Sequence, residues 1–217
     1  MRRVEKEEIN RKLLHVLAVG FPVFIYFGPS WFQISRNEIS WMIFALFLFS
    51  LGLDLFRLWG TSFKMWFFER FGSMMRVQEE SQLTGATYIV AGSCVCSFIS
   101  TIDESFAASA FLSLTLFILG DAAAALCGKA FGKYKIGGKT LEGSLGCFLL
   151  CALLTAFVFP AIPTFLKNWN GDFTWFHMLI FPFAVTFLEL FPIKFNGFSL
   201  NDNLYVPPVV TLLVLIG

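Results

Sequence analysis

Long apolar runs alternate with short polar stretches along almost the whole chain. A helix needs roughly 17–25 mostly apolar residues to cross a bilayer. Seven segments approach that length, near 13–32, 39–59, 83–102, 105–126, 141–160, 175–192 and 203–217. The predicted fold is all-α, a polytopic transmembrane helical bundle of about seven spans, forming a single domain over 1–217. The third and fourth segments are joined so tightly, through Thr101, Ile102, Asp103 and Glu104, that they predict a helical hairpin. Pro22, Gly28 and Pro29 predict a break in the first span, Pro182 in the sixth, and Pro207 with Pro208 in the seventh. Membrane helices tolerate such breaks where neighbours or a cavity satisfy the freed backbone groups.

Composition agrees with that pattern. Of the 217 residues, 57% are hydrophobic and only 14% charged, against about 25% charged in soluble domains. A soluble domain of this size leaves roughly 30% of its unfolded surface in water, too much for this much apolar area, so lipid is the missing solvent. The net charge of +1 gives no reason to expect a nucleic-acid partner. The five cysteines, Cys94, Cys96, Cys127, Cys147 and Cys151, are odd in number, lack metal-ligand spacing and sit in or beside apolar runs. They read as packing residues rather than a disulfide framework or a zinc site. The first twelve residues carry both signs of charge and precede no small-residue cleavage site, unlike a cleavable signal peptide.

Charge fixes an expected orientation, because Lys and Arg favour the cytoplasmic side of short loops. With the N-terminus inside, fourteen of the sixteen basic residues fall in inner segments, and only Arg36 and Lys167 fall outside. In this arrangement Asp54, Asp121, Glu142, Glu189 and Asp202 all lie at the inner ends of spans, and His15 opens the first span on the same side. Acids within spans are costly and usually functional, so acids from five different spans suggest one polar site. Asp54 and Arg57, spaced i,i+3, also fit a simple helix-surface pair, and His15 also fits interfacial packing.

The richest segment follows the fourth span. Asp121, Ala124, Ala125 and Gly128 share one helical face, which leaves the acid in a groove of small residues. Lys129, Lys133, Lys135 and Lys139 then alternate with Gly128, Gly132, Gly137 and Gly138. Glycines let backbone N–H groups approach an anion, and lysines supply compact positive charge. Thr140 is a candidate N-cap that would aim the next helix dipole at the same place. Such a loop suits a polyphosphate, and Asp121 suits its magnesium. A Walker A match fails, because Lys133 stands where glycine is needed and no strand precedes the loop.

These residues resemble a known family. The run Gly120-Asp121-x-x-Ala124, Gly128-Lys129-x-Phe131-Gly132-Lys133, Gly138-Lys139-Thr140-x-Glu142-Gly143-Ser144 is similar to the signature loop shared by CDP-diacylglycerol synthases and the CTP-dependent lipid kinases acting on dolichol, phytol and diacylglycerol. Three further pieces resemble the kinase branch: Arg11-Lys12-Leu13-Leu14-His15, Arg76-x-x-Glu79 with Thr84-Gly85-Ala86-Thr87-Tyr88, and Asp202-Asn203-Leu204 with Pro207. The longer C-terminal signature of the synthases is absent, which favours phosphoryl over nucleotidyl transfer. The acid that usually precedes Asp-Asn in the family is replaced by Asn201.

The resemblance implies a membrane enzyme that moves the γ-phosphoryl of CTP to a lipid alcohol, with Mg2+ as cofactor. Lys12, Lys129, Lys133, Gly138, Lys139, Thr140 and Glu142 are the expected nucleotide-binding residues. Asp121 and Asp202 are the expected metal ligands, and Glu189 or His15, with Asp202, the expected catalytic groups. The active site is expected on the cytoplasmic side of a bacterial inner membrane or of the endoplasmic reticulum; a homodimer remains open. The first rival is a cytidylyltransferase making CDP-diacylglycerol from phosphatidic acid. The second is an ion-coupled transporter, against which stands the absence of midplane acids and of an internal repeat.

Overall fold

A computed structural model of the chain describes residues 13–75, 77–169, 172–195 and 198–216. Lys12, Arg11 and Arg76, all named above, lie outside the described residues. In chain order the helices are α1 (Gly20–Phe32), α2 (Arg36–Trp59), α3 (Thr61–Phe71), α4 (Gly85–Ile99), α5 (Glu104–Phe131), α6 (Leu141–Leu153), α7 (Pro163–Asn168), α8 (Trp175–Leu190) and α9 (Asp202–Thr211). Two small hairpins complete the order, β1 (Lys135–Ile136) with β2 (Lys139–Thr140), and β3 (Lys194–Phe195) with β4 (Phe198–Ser199).

Four helical segments are long and apolar enough to cross a membrane: Leu13–Phe32, Arg36–Trp59, Glu104–Phe131 and Leu141–Ala161. Gly85–Ile99, Trp175–Leu190 and Asp202–Ile216 are apolar but shorter. Every segment expected from the sequence is therefore helical. The burial pattern is that of a bundle in lipid: in the most apolar window of α5 67% of positions are buried, against 22–28% in the other three long helices. α5 is the axis, and Leu46, Phe49, Leu149, Phe157 and Phe183 face outward around it.

Local sequence explains the ends of these elements. Ser35 and Glu38 form a capping box on α2, Thr84 caps α4, and the Asp103 carboxylate accepts the N–H groups of Ser105 and Phe106 to start α5. That cap makes the tight α4 to α5 connection expected from the sequence. α6 crosses α5 where both helices carry glycine. A Cβ on Gly143 would lie 2.6 Å from the Ala124 carbonyl oxygen, and one on Gly128 would lie 2.7 Å from Thr140 Oγ1.

The prolines behave differently from expectation. α1 runs through Pro29, α8 through Pro182, and α9 through both Pro207 and Pro208. Neighbouring helices accommodate the lost backbone bonds. The first segment is interrupted earlier, by a turn at 18–19, where Phe21 N–H bonds the Ala18 carbonyl at 2.9 Å. Pro22, in the first turn of α1, has no N–H to offer that carbonyl.

α3 was not among the expected spans. At eleven residues it rises only about 16 Å and none of its residues is buried. At the opposite end of the bundle, Arg36 makes a two-pronged pair with Glu104 at 2.9 and 2.6 Å, and Asn168 donates to the same carboxylate at 2.8 Å. Asp121 lies seventeen residues further along α5 than Glu104, about 26 Å away at helical rise.

Candidate active site

The polar end of the bundle is assembled from helix termini. α8 brings Glu189 in its last turn, α9 brings Asp202 in its first, and the β1 to β2 hairpin returns Lys139 towards both. Gly137 makes that reversal, at φ 62°, a left-handed backbone that favours glycine. Lys139 Nζ donates to Glu189 Oε1 at 2.5 Å and to the Glu189 carbonyl oxygen, and reaches Asp202 Oδ2 at 3.1 Å. Burial disfavours the Lys139 ammonium, but Asp202 and Glu189 together outweigh that and raise its pKa above the ordinary lysine value. The cap of α9 is Asn201, whose side chain accepts the Asn203 N–H at 3.1 Å. Asp202 is thereby placed at the first helical position, facing Lys139.

Two cavities meet at Asp121. The first, about 270 Å³, is lined by the groove foreseen in the sequence: Asp121, Ala124, Ala125 and Gly128, then Lys129, Gly138, Lys139, Thr140, Gly143, Ser144 and Glu189. Thr140 caps α6 as expected, accepting the Gly143 N–H at 3.2 Å. The Oε2 atom of Glu189 is buried and has no hydrogen-bond partner among the described residues.

The second cavity, about 190 Å³, is mostly apolar. Leu14, Ala18, Phe67, Phe71, Met74, Met75 and Ile89 form its walls, with His15, Glu79, Asn203 and Asp121 as polar groups. His15 Nε2 lies 3.2 Å from Asp121 Oδ2 and packs edge-on against Phe117. Asp121 thus belongs to both cavities, and His15 is the basic group on its apolar side.

Next to the apolar cavity is a buried ion pair. Arg57 is 0% exposed and Asp54 3%, so they are not the helix-surface pair that their spacing allows. Asp54 Oδ1 accepts from Arg57 Nε and Nη2 at 3.1 and 3.0 Å. Its Oδ2 accepts from Thr84 N, Thr84 Oγ1 and Thr87 Oγ1 at 2.8, 2.9 and 2.7 Å. Arg57 also donates to the carbonyls of Glu79 and Gln82, each at 2.7 Å. Buried charges persist only when paired and fully hydrogen-bonded, and this pair meets that condition by stapling the strap around 79–84 to α2 and α4.

The structure thus brings His15, Asp121, Lys129, Gly138, Lys139, Thr140 and Glu189 around the two cavities, with Asp202 behind Lys139. Lys133 and Glu142 lie outside both linings; the Glu142 carboxylate instead accepts the Tyr134 N–H at 3.3 Å. No group of three or more His, Cys, Asp and Glu side chains suited to a metal is found among the described residues. All five cysteines are free thiols. Glu79 and Asn203 also line the apolar cavity, a place that depends on contacts which sequence spacing does not encode.

Fold and composition define the class: this is a helical membrane protein. The chain is 25% identical over 203 residues to an uncharacterized protein of Rickettsia prowazekii (strain Madrid E), a match covering 92% of this chain and 89% of that one. No family model matches the chain. No solved structure matches it either.

Proposed function

We propose that the protein transfers a phosphoryl group from a nucleoside triphosphate to the hydroxyl of a membrane lipid alcohol. The observation that carries this reading is the meeting of the two cavities at Asp121, one lined by lysines and glycines and the other by Leu, Phe and Met. A lipid alcohol needs an apolar wall for its chain, and a polyphosphate needs compact cations and close backbone approach. Phosphoryl transfer needs in-line positioning and charge neutralisation more than covalent help from the protein. CTP is the donor implied by the sequence resemblance.

The residues have separable roles in this scheme. Lys129 and Lys139 hold phosphate oxygens, with the N-terminus of α6 at Thr140 contributing backbone N–H groups. Asp202 keeps Lys139 charged and aimed. The oxygen of the lipid hydroxyl bonds to the transferred phosphorus as the bridging bond to the leaving diphosphate breaks. The hydroxyl proton passes to His15, which lies on the apolar side of Asp121, whereas Glu189 is engaged by Lys139. Magnesium fits the donor set, since it takes one or two carboxylates together with phosphate oxygens and water. Asp121 and the unpartnered Oε2 of Glu189 are the oxygens that would hold it. Bound there, it would neutralise charge on the phosphates.

The fuller membrane arrangement belongs to the same proposal: seven spans, the N-terminus cytoplasmic and the two cavities on that side. It is supported by the helices found in all seven apolar segments and by the fourteen-to-two distribution of basic residues. The test is direct. Purified protein is incubated with magnesium, a panel of nucleoside triphosphates and a panel of lipid alcohols, and the lipid fraction is examined by mass spectrometry. A lipid monophosphate is expected with CTP. Its absence across the panel, with folded protein, would refute the proposal.

A further inference from the structure

The apolar outer surface of α2 does not stop where that helix ends. Phe56 and Trp59 are exposed in its last turn, Trp59 by 84%. Gly60, with an extended backbone at φ -101° and ψ 107°, then turns the chain into α3. At about 100° per residue, Ser62 and Glu69 share one line along α3, and both are exposed. Phe63, Phe67 and Phe71 form the row on the opposite side, and Phe67 and Phe71 wall the apolar cavity. Met65 and Trp66 flank the polar line, one on each side, 60% and 46% exposed. Free charge is sparse on this helix. Lys64 pairs with Glu80 at 3.5 Å, and Arg70, next to Glu69 in the chain, lies over the Trp66 ring at 5.8 Å from its centroid.

We infer that α3 is an in-plane membrane helix, seated at the boundary between headgroups and acyl chains in the leaflet where α2 ends, and that its partner is the phospholipid surface. Three observations converge on that occupant. Eleven residues are too few to cross a bilayer, yet the helix leaves Met65 and Trp66 uncovered by protein. The lipid-facing side of α2 runs into α3 through Trp59 and Gly60, so the helix begins where a span reaches the interface. Tryptophan favours that level, because its ring is amphipathic. The seat turns Ser62 and Glu69 to water and the phenylalanine row to the bundle and the acyl chains, with Met65 and Trp66 at the margin. Apolar burial holds it rather than charge, since Lys64 is paired and Glu69 offsets Arg70. The wall that Phe67 and Phe71 give the apolar cavity is therefore carried by a helix that the bilayer holds in place. This inference is independent of the reaction proposed above.

Depth measurement tests this without any turnover. Nitroxide labels are attached to the full chain through Ser62→Cys, Met65→Cys, Trp66→Cys and Glu69→Cys, one at a time, in a Cys127→Ser background, because the other four cysteines are buried. Each protein is placed in nanodiscs of phosphatidylcholine, alone or mixed with phosphatidylglycerol. Collisions with molecular oxygen, which concentrates in lipid, and with a water-soluble nickel chelate are read by electron paramagnetic resonance. Labels at 65 and 66 should favour oxygen and sit about 5–10 Å below the phosphate level, the depth of an interfacial helix. Labels at 62 and 69 should favour the chelate, and the depths should be the same in both lipid mixtures. Labels at 65 and 66 that meet the chelate as readily as those at 62 and 69 would put α3 in water and overturn the inference. Labels at 65 and 66 that meet neither reagent would overturn it as well, by showing that protein, such as a second copy of the chain, covers the helix. A depth reached only with phosphatidylglycerol would contradict the apolar seat and make the attachment ionic.

Discussion

Replacing Asp54 with alanine removes the carboxylate on which Arg57, Thr84 and Thr87 converge. Five hydrogen bonds of 2.7–3.1 Å are lost together. The greater effect is on Arg57, which is 0% exposed and would keep its charge without a counterion. Breaking a buried pair from one side costs roughly 3–5 kcal/mol in soluble proteins. Polar contacts in membranes are often weaker, because the unfolded state in the bilayer also finds partners, so the lower limit of about 3 kcal/mol is the working value. At about 2–4 °C per kcal/mol for a chain of this size, Asp54→Ala should lower Tm by roughly 6–12 °C in detergent. Replacing both members, Asp54→Leu with Arg57→Met, should recover most of that loss, because apolar side chains of similar volume often substitute neutrally for a buried pair. Melting curves of Asp54→Leu, Arg57→Met and the double variant form a complete cycle. A single-variant shift below about 2 °C, or a double-variant loss equal to the sum of the singles, would refute the assignment of this pair as a buried staple.

Three further outcomes are expected. Lys139→Ala should lower phosphoryl transfer by at least about a hundredfold, the scale of one lost charge-stabilising group, with incomplete rescue by Lys139→Arg because a guanidinium fork differs from a compact ammonium; Lys167→Ala at the far end should leave the rate unchanged, and equal rates for wild type and Lys139→Ala would remove Lys139 from the site. Since the folded pKa of Lys139 is raised, its ion-pair stabilisation is complete below the unfolded lysine value of about 10.4 and is lost only as pH rises through the higher folded value. Acylation at mildly alkaline pH should therefore modify exposed Lys135 well before Lys139, and mass mapping that finds equal rates would contradict the engagement of Lys139 by Glu189 and Asp202. A cysteine at Lys135 should react with an impermeant maleimide only from the cytoplasmic side and one at Asp172 only from outside; reaction of both from one side would end the seven-span arrangement.

The parts of the site that were legible in the sequence are those set by local geometry. Helical periodicity put Asp121, Ala124, Ala125 and Gly128 on one face, and those four residues line the polar cavity. Thr140 was readable as a cap because capping is a three-residue interaction, and the hydrogen bond to Gly143 is present. Asn201 and Asp202 are both capping residue types, and only the hydrogen bond from Asn203 N–H to Asn201 Oδ1 shows that Asn201 is the cap of α9. The i,i+3 spacing of Asp54 and Arg57 is identical on an exposed or a buried face, and only the approach of Thr84 and Thr87, thirty and thirty-three residues away, decides between them. Glu79 was hidden for the same reason. α3 escaped because an eleven-residue apolar and basic stretch is too short to read as a span, yet its Phe67 and Phe71 wall the apolar cavity.

The position of the transferred atom tests the central claim most directly. Purified protein, magnesium and an accepted lipid alcohol are incubated in parallel with CTP labelled at the α or the γ phosphorus, and the lipid fraction is counted. Lipid-borne label from the γ position alone is expected, and it should disappear in Lys139→Ala. Label reaching lipid from the α position would contradict phosphoryl transfer and assign the same cavities to attachment of a cytidylyl group.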